Sequence, residues 1–230
     1  MASSTKAVVL LSGGLDSSTV CAVAASKGRE VHALTIDYNQ RNLWEINAAK
    51  EVARVNRVAE HLIFPIDLRL FGGSALTDSN VELARDVPLE EIGKTIPASY
   101  VPARNTIFLS LALGFAETRG ASEIWIGVNE LDYSGYPDCR PDYIDAYVKM
   151  ARLATKMGVE GAEIKIETPL LYLTKAEIIK LGSSLGVDYS LTRTCYDLDD
   201  QGRACGRCES CVLRKRGFEE AGVPDPTPYR

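Results

Sequence analysis

The chain has 230 residues, of which 46% are hydrophobic and 25% charged, and its formal net charge is −5. These values are typical of one substantial globular domain with at most a small appendage, and they argue against extensive disorder. The negative charge disfavours nucleic acid as the main partner, because that binding depends on clustered Lys and Arg. No apolar stretch is long enough to span a membrane and residues 1–6 do not resemble a signal peptide, so we expect a cytoplasmic protein without a membrane partner.

The first half of the chain alternates strand and helix patterns. Strands are predicted near residues 6–11, 31–36 and 61–65, and helices near 16–27 and 43–56. This alternation predicts parallel strands with crossover helices, and so an α/β fold with an open, mainly parallel, doubly wound sheet. Residues 67–100 contain several prolines and Gly72-Gly73, which predict an irregular excursion beside the sheet.

The first strand runs into the segment Ser12-Gly13-Gly14-Leu15-Asp16-Ser17-Ser18, which a helix pattern follows directly. The two glycines permit a tight turn, so that backbone N–H groups and the positive end of the helix dipole converge on an anion. Asp16 would repel phosphate unless a cation such as Mg²⁺ binds both. The segment matches neither the Walker A motif nor the dinucleotide fingerprint. It predicts a metal-nucleotide site, and a simple Gly-Ser turn is the alternative.

The second half begins with a strongly apolar helix over residues 106–116, which should be buried, with Arg104 and Asn105 at its start. A strand near 124–127 leads into a long polar and aromatic loop that ends at Pro141. A helix near 142–157, a strand near 164–167 and a helix that ends near Gly186 follow, the last opened by the capping box Thr174-Lys175-Ala176-Glu177. We therefore predict an α/β domain over residues 1–186 and a C-terminal segment over 187–230.

Four cysteines in this segment have the spacing of a metal site. Nine, two and two residues separate Cys195, Cys205, Cys208 and Cys211. Four thiolates so placed suit a tetrahedral, structural Zn²⁺, and no neighbouring His or carboxylate completes an open catalytic site. Disulfides and an iron–sulfur cluster are the alternatives. We expect the helix that leads to Ala221 to start at Cys211.

The motifs together carry a resemblance to known families. The glycine loop resembles the pyrophosphate loop (PP-loop) of the adenine nucleotide α-hydrolase superfamily, which cleaves ATP to AMP and pyrophosphate while activating a carbonyl oxygen. Three further segments lie between this loop and the four cysteines. The whole set, in this order, is similar to the 7-cyano-7-deazaguanine (preQ0) synthase family of queuosine biosynthesis. The three segments are Tyr100-Val101-Pro102-Ala103-Arg104-Asn105, Gly127-Val128-Asn129, and residues 132–141, Asp-Tyr-Ser-Gly-Tyr-Pro-Asp-Cys-Arg-Pro.

This resemblance implies an ATP-dependent ligase that contains zinc and is commonly a homodimer. Its substrates would be 7-carboxy-7-deazaguanine and ammonia, which it would join through an adenylated acid and an adenylated amide to give the nitrile. The chain is too short to include a glutaminase domain as well, so we expect the nitrogen to arrive as free ammonia.

The resemblance also implies residue roles. ATP and Mg²⁺ would be bound by Leu10, Leu11, Ser12, Gly13, Gly14, Leu15, Asp16, Ser17 and Ser18, and the residues closest to the reacting atoms would be Ser12, Asp16 and Arg104. The deazapurine would be bound by Asn105, Tyr133, Tyr136, Asp138 and Arg140, because aromatic faces stack on it and a carboxylate accepts hydrogen bonds from its guanine-like N–H edge. The alternatives are a helix N-cap for the 104–105 pair and a loop without a ligand for the remainder.

Some residues and rival functions stay open at this point. Cys139 is either a reactive thiol or a packed side chain, and Trp44 and Trp125 are predicted to be core aromatics. The main rival is a tRNA-modifying PP-loop enzyme of the thiolation type or a lysine ligase. An ammonia-dependent synthetase of another small acid and a zinc-knuckle binding module are further alternatives.

Overall fold

The structure, a computed structural model, describes residues 5–41, 44–129 and 136–230. Its sheet has five strands, all parallel, in the order β3-β2-β1-β4-β5. They are β1 (Lys6–Leu10), β2 (Glu30–Asp37), β3 (Glu60–Pro65), β4 (Glu123–Trp125) and β5 (Lys165–Glu167). The predicted α/β class with a parallel sheet is confirmed.

Seven helices are found among the described residues: α1 (Leu15–Ser26), α2 (Trp44–Val55), α3 (Arg104–Arg119), α4 (Pro141–Ala154), α5 (Lys156–Val159), α6 (Lys175–Ser184) and α7 (Glu209–Ala221). None of them is both long and apolar enough to cross a membrane. The helix predicted near 142–157 is broken at Thr155, whose extended backbone separates α4 from α5. The predicted capping box of α6 is confirmed, with Thr174 and Glu177 bonded reciprocally.

Apolar cores lie on both faces of the sheet, as the doubly wound prediction requires. Val8 and Leu10 of β1 belong to one core with α3 and α4, whereas the alternate residues Ala7 and Val9 belong to the other core with α1, α2, α6 and α7. This alternation follows from the two-residue period of a strand. Trp125 is 1% exposed, which confirms its predicted core position.

Trp44 is not a core aromatic: it is 37% exposed. Its ring lies over Gly202, where an added Cβ would be 3.2 Å from the indole carbons. The sequence prediction failed because Trp44 is the first residue of α2, where the C-terminal segment covers one side of its ring and the other side stays exposed.

The strand order reverses between β1 and β4, and the glycine loop lies at that point. In open α/β sheets the ligand crevice forms at this reversal, at the carboxyl ends of the strands. Gly127, just after β4, closes the crevice on the other side. An added Cβ there would lie 3.3 Å from backbone atoms of Asp16 and Ser17, so this close approach depends on glycine.

The C-terminal segment packs closely against the rest of the chain. Phe218 of α7 is 2% exposed within the core that α1 and α6 share. The backbone N–H of Arg193 donates to the carbonyl of Gly13 at 2.9 Å. The helix begins at Glu209, with Cys208 as its N-cap, and not at Cys211 as expected, because the turn at Cys208 already has the extended N-cap conformation. The division of the chain at residue 187 stays a prediction.

Candidate active site

The glycine loop is held by hydrogen bonds between its own serines. The Ser12 and Ser17 hydroxyls lie 2.9 Å apart, and Ser17 Oγ accepts from the Ser12 N–H at 3.1 Å. Ser18 Oγ donates to the carbonyl of Gly14 at 2.7 Å. These contacts fix the first turn of α1, whose N-terminal N–H groups then form an anion site.

Gly13 allows α2 to lie directly against this loop. It has a φ of +82°, in the left-handed region that favours glycine. An added Cβ would lie 2.3 Å from the carbonyl oxygen of Glu45 and 2.5 Å from the amide nitrogen of Ala49. Any other residue here would therefore displace the start of α2 as well as strain the turn.

Asp16 forms an ion pair that the sequence analysis did not anticipate. Lys175 Nζ donates to its two carboxylate oxygens at 2.7 and 2.9 Å, and the lysine is 7% exposed. The aliphatic stem of Lys175 lies against Gly217 of α7, where an added Cβ would be 2.4 Å from its Cγ. The lysine supplies positive charge beside the anion site, so a metal ion is not the only compensation for Asp16. The capping-box motif predicted where α6 starts, but nothing in it indicated this partner.

A cleft opens above the carboxyl ends of β1, β2 and β4. Most of the predicted site residues line it: Leu10, Leu11, Ser12, Gly14, Leu15, Asp16, Ser17, Arg104, Asn105 and Tyr136. Four predicted residues are not among its described lining residues: Gly13, Ser18, Asp138 and Arg140. Tyr133 lies outside the described residues.

Arg104 brings positive charge into the cleft. The N-cap of α3 is Ala103, in the left-handed conformation, so Arg104 and Asn105 lie inside the helix and the N-cap alternative is wrong. The Arg104 guanidinium carbon lies 6.0 Å from the centroid of the Phe108 ring and acts electrostatically on Tyr38. Burial raises the pKa of Tyr38 to about 12, so its phenol is neutral at pH 7.

Asn105 and Asp138 bind each other. The Asp138 carboxylate accepts from the Asn105 backbone N–H at 2.9 Å, and Asn105 Nδ2 donates to the Asp138 carbonyl at 3.1 Å. Together they join the short 3-10 turn Pro137–Cys139 to the start of α3. Arg140 is exposed beyond this turn, 3.8 Å from Asp142. Neither Asp138 nor Arg140 is among the described residues that line the cleft, and their role towards the substrate stays a prediction.

Tyr136 lies between this turn and the cleft. Its hydroxyl is 3.0 Å from the Ser99 hydroxyl, and its ring centroid is 5.9 Å from that of Tyr100. Burial raises its pKa. The ring is therefore held in place as a neutral phenol beside the ligand space.

Arg41, Glu45 and Arg193 are charged residues of the cleft lining that the sequence analysis missed, and two of them have distinctive surroundings. Glu45, in the first turn of α2, is half-buried, and burial raises the pKa of its carboxyl to about 7 although Arg104 acts in the opposite direction. Arg193 donates Nη1 to the Ser190 and Thr192 carbonyls at 2.7 and 2.9 Å, while its buried Nε has no partner among the described residues. Both were hidden because only the folded chain brings them beside the glycine loop.

Cys139 is a packed thiol on the cleft wall. It is 7% exposed and its sulfur accepts from Asn105 Nδ2 at 3.3 Å. Burial, reinforced by the charge of Asp138, raises its pKa to about 12, so the thiolate is not formed at neutral pH. Since thiolates are the reactive form of cysteine, this environment disfavours a nucleophilic role.

The four predicted metal ligands come together. The sulfurs of Cys195, Cys205, Cys208 and Cys211 all lie within 4.8 Å of one another, and all four residues are buried. Sulfurs held about 2.3 Å from a tetrahedral zinc ion would be about 3.8 Å apart, so the cluster fits such an ion. Backbone N–H groups of Cys205 and Asp197 donate to the Cys195 sulfur at 3.2 and 3.3 Å.

The cluster is electrostatically incomplete as four thiols. Hydrogen bonds from Cys195 and Cys211 lower the pKa of Cys208, and the bonds to Cys208 help to raise the pKa of Cys195 and Cys211. Four buried thiols in mutual contact would ionise together only around a cation, because metal ligation requires the thiolate form. No cysteine of the cluster is paired in a disulfide.

The fold and site define an α/β protein with a glycine loop suited to an anion at the sheet reversal and a four-cysteine cluster that could hold a metal ion. Comparison with known proteins identifies it further: the sequence model of the family "Queuosine biosynthesis protein QueC" matches residues 6–222, and the chain belongs to that family. It is 58% identical over 224 residues to the 7-cyano-7-deazaguanine synthase of Myxococcus xanthus, covering 97% of each chain. It is also 57% identical over 225 residues to that of Ralstonia nicotianae, covering 98% of this chain and 99% of the relative.

Proposed function

We propose that this protein converts 7-carboxy-7-deazaguanine and ammonia to 7-cyano-7-deazaguanine with consumption of ATP, in queuosine precursor biosynthesis. The observation that carries the proposal is family membership over residues 6–222, combined with the glycine loop at the head of the cleft. Relatives that bear the synthase name match 97–99% of this chain's length at 55–58% identity.

ATP is needed because a carboxylate is a poor electrophile. Its leaving group would be oxide, whereas attack of the carboxylate oxygen on the α-phosphate releases pyrophosphate and converts that oxygen into part of AMP. The glycine loop binds the β- and γ-phosphates, and Arg104 and Lys175 place positive charge where anionic oxygens accumulate. Asp16 is the carboxylate that would bind Mg²⁺ together with the phosphates.

Ammonia then displaces AMP to give the amide. In a second round the amide oxygen attacks ATP, and loss of AMP and of the two N–H protons leaves the nitrile. The reaction requires no covalent enzyme nucleophile, which agrees with a neutral thiol at Cys139. Positioning and charge stabilisation therefore supply the rate enhancement.

Zn²⁺ is the ion that we propose for the four cysteines. It would join the loop that carries Cys195 to the start of α7 and supply a structural cross-link, since all four ligand positions are occupied by the chain. We also propose that the protein takes up free ammonia from solution and that it forms a homodimer.

The thiolation-type alternative has little support. It needs a reactive cysteine and an RNA-binding surface, but Cys139 is a buried thiol. Several basic residues of the C-terminal segment are paired with carboxylates: Arg203 with Asp199, Arg207 with Asp86, Arg214 with Asp225 and Arg216 with Glu220. Such pairing leaves little positive charge for a polyanion.

The proposal is tested by incubating the purified protein with ATP, Mg²⁺, ammonium and 7-carboxy-7-deazaguanine, and analysing the products by mass spectrometry. We expect the nitrile together with AMP and pyrophosphate. AMP release without the deazapurine acid, or no nucleotide cleavage in its presence, would contradict the proposal. Replacement of the acid by benzoate provides the control for substrate identity.

A further inference from the structure

Glu45 is a carboxylate without a hydrogen-bond partner among the described residues, in a cleft whose other carboxylate is already paired. Among the described residues that line the cleft, Asp16 and Glu45 are the acidic ones, and Asp16 is paired with Lys175. The Glu45 carboxylate makes no hydrogen bond or ion pair within the part of the chain that the structure describes. An unpaired, half-buried carboxylate is costly, which indicates a ligand that satisfies it.

The amide side chains of the cleft are fixed by other contacts. Asn105 Nδ2 donates to the Asp138 carbonyl, and Asn129 Nδ2 donates to the carbonyls of Leu170 and Leu173. The oxygen of Gln40 accepts from the Tyr38 backbone N–H at 3.1 Å. Glu45 is thus the carboxylate of the cleft that remains for a ligand that brings two adjacent N–H groups.

The deazapurine presents such groups. Like guanine, it carries a ring N–H and an exocyclic amino group side by side, and a carboxylate accepts from both at once. The sequence analysis assigned this role to Asp138, but the structure uses that carboxylate to hold α3. The aromatic rings of Tyr38 and Phe108, 5.5 Å apart, lie beside Arg104 and offer apolar surface to the same ligand.

We propose that Glu45 recognises the guanine-like N–H edge of the substrate and so determines that a deazaguanine, and not another acid, is adenylated. This inference rests on the proposed function and assigns its specificity to one side chain. Two charge-assisted hydrogen bonds orient the bicycle, so that the 7-carboxylate is presented to the α-phosphate. Glu45 is suited to this geometry because Gly13 brings the start of α2 against the phosphate loop.

The ionisation of Glu45 gives the proposal a pH signature. The groups that act on its carboxyl are Arg104 of α3 and Tyr38 after β2, and the other titratable or charged groups that line the cleft are Asp16, Arg41, Tyr136, Cys139, Arg193 and Tyr196. In the free protein the pKa of Glu45 is about 7. Because only the carboxylate accepts from both N–H groups, the KM for the deazapurine acid should rise as the pH falls below 7, and Glu45→Gln should lack this rise.

The decisive experiment compares two substrates in wild type and variant. The substrates are 7-carboxy-7-deazaguanine and the analogue that lacks the exocyclic amino group. We expect the wild type to favour the first by about 10²-fold in kcat/KM, because the analogue leaves a desolvated carboxylate oxygen unpaired. In Glu45→Gln this ratio should fall towards one, while the KM for ammonium is unchanged. Glu51→Gln, at an exposed position of the same helix, is the matched control.

The outcomes separate this inference from the proposed function. If the wild type forms no nitrile, the proposed function fails and the specificity question falls with it. If the wild type forms nitrile but Glu45→Gln keeps the full preference for the amino-bearing substrate, the inference alone is wrong. A rise in the KM for ammonium without a change for the deazapurine acid would also overturn it, because Glu45 would then serve the nitrogen donor.

Discussion

Asp16 shows how a carboxylate can stand in a phosphate-binding loop. It lies at the second position of α1, where the helix dipole stabilises negative charge, and Lys175 neutralises it from a helix about 160 residues further along the chain. Under the proposed function, ATP with its cation would bind beside this ion pair, and Lys175 would then donate to phosphate oxygens.

Replacing Asp16 by Asn tests this arrangement. The change keeps the shape of the side chain but removes the negative charge, so it should abolish nitrile formation while the metal content stays as in the wild type. The Tm should fall, because the buried Lys175 loses its carboxylate partner. Product analysis, metal analysis and thermal unfolding measure the three properties. Asp188→Asn, at an exposed turn near the C-terminal segment, is the control. Retained turnover would remove the metal-nucleotide role of Asp16.

Residue roles were predictable where a short motif carries the chemistry and unpredictable where chemistry depends on distant neighbours. The glycine loop and the four cysteines were found because their members lie close together in sequence. Lys175, Glu45 and Arg193 were missed because nothing local distinguishes them from surface charges. The sequence analysis assigned Asp138 to the substrate, whereas in the structure its carboxylate accepts from the Asn105 N–H of α3. Sequence alone does not show which group a carboxylate will bond to.

At the scale of elements, an ion-pair group joins the edge strand β3 to its neighbours. Glu60 of β3 accepts from Arg119 at the end of α3 at 2.6 and 2.7 Å and lies 3.1 Å from a ring nitrogen of His32 in β2. The hydrogen bond from Arg119, followed by that from His32, lowers the pKa of Glu60 to about 2. The contacts of Glu60 with Arg119 and His32 thus stabilise the edge strand β3 against its neighbours.

The lowered pKa predicts part of the acid sensitivity of the protein. A carboxyl with a depressed folded-state pKa stabilises the fold above its unfolded value near 4.5, and that contribution is lost as the pH falls towards 2. Urea unfolding at a series of pH values should therefore show a smaller loss of stability across this range in Glu60→Gln than in the wild type. Glu163→Gln, at an exposed position before β5, is the control. Equal slopes in Glu60→Gln and the wild type would contradict the prediction.

The elements themselves were largely predictable from sequence. Apolar runs predicted the five strands. The helix α3 is buried on one face only, with Ser110 and Gly114 exposed on the other, so the prediction of burial all round was wrong in part. The break at Thr155 was missed because the helix pattern continues across it, while the Thr155 hydroxyl accepts from Gly158 and starts a new turn. Cap geometry of this kind depends on backbone conformation, and the periodicity of apolar residues in the sequence does not predict it.

On the scale of the whole molecule, the cysteine cluster connects the C-terminal segment to the sheet. Cys205 and Cys208 belong to the core that contains β1 and α3, and Arg214, 2% exposed, bonds to Asp225 and Thr192. The segment is therefore part of the same packed structure, although its composition differs from that of the rest of the chain.

Cys208→Ser tests what the metal does for this packing. The substitution should remove the bound metal and lower the Tm, because three buried thiols without a cation replace a cross-link. Metal analysis and thermal unfolding measure both effects, and Cys21→Ala, in α1 and outside the cluster, should keep the metal. Loss of metal with an unchanged Tm and unchanged turnover would show that the cross-link has no structural role.

The contact of Lys175 with Gly217 has a consequence for when the enzyme works. The helix that carries Cys211 also supports the lysine that neutralises Asp16. If loss of a metal from the cysteines displaced α7, Lys175 would lose this support, and the uncompensated Asp16 carboxylate would then oppose the approach of a triphosphate.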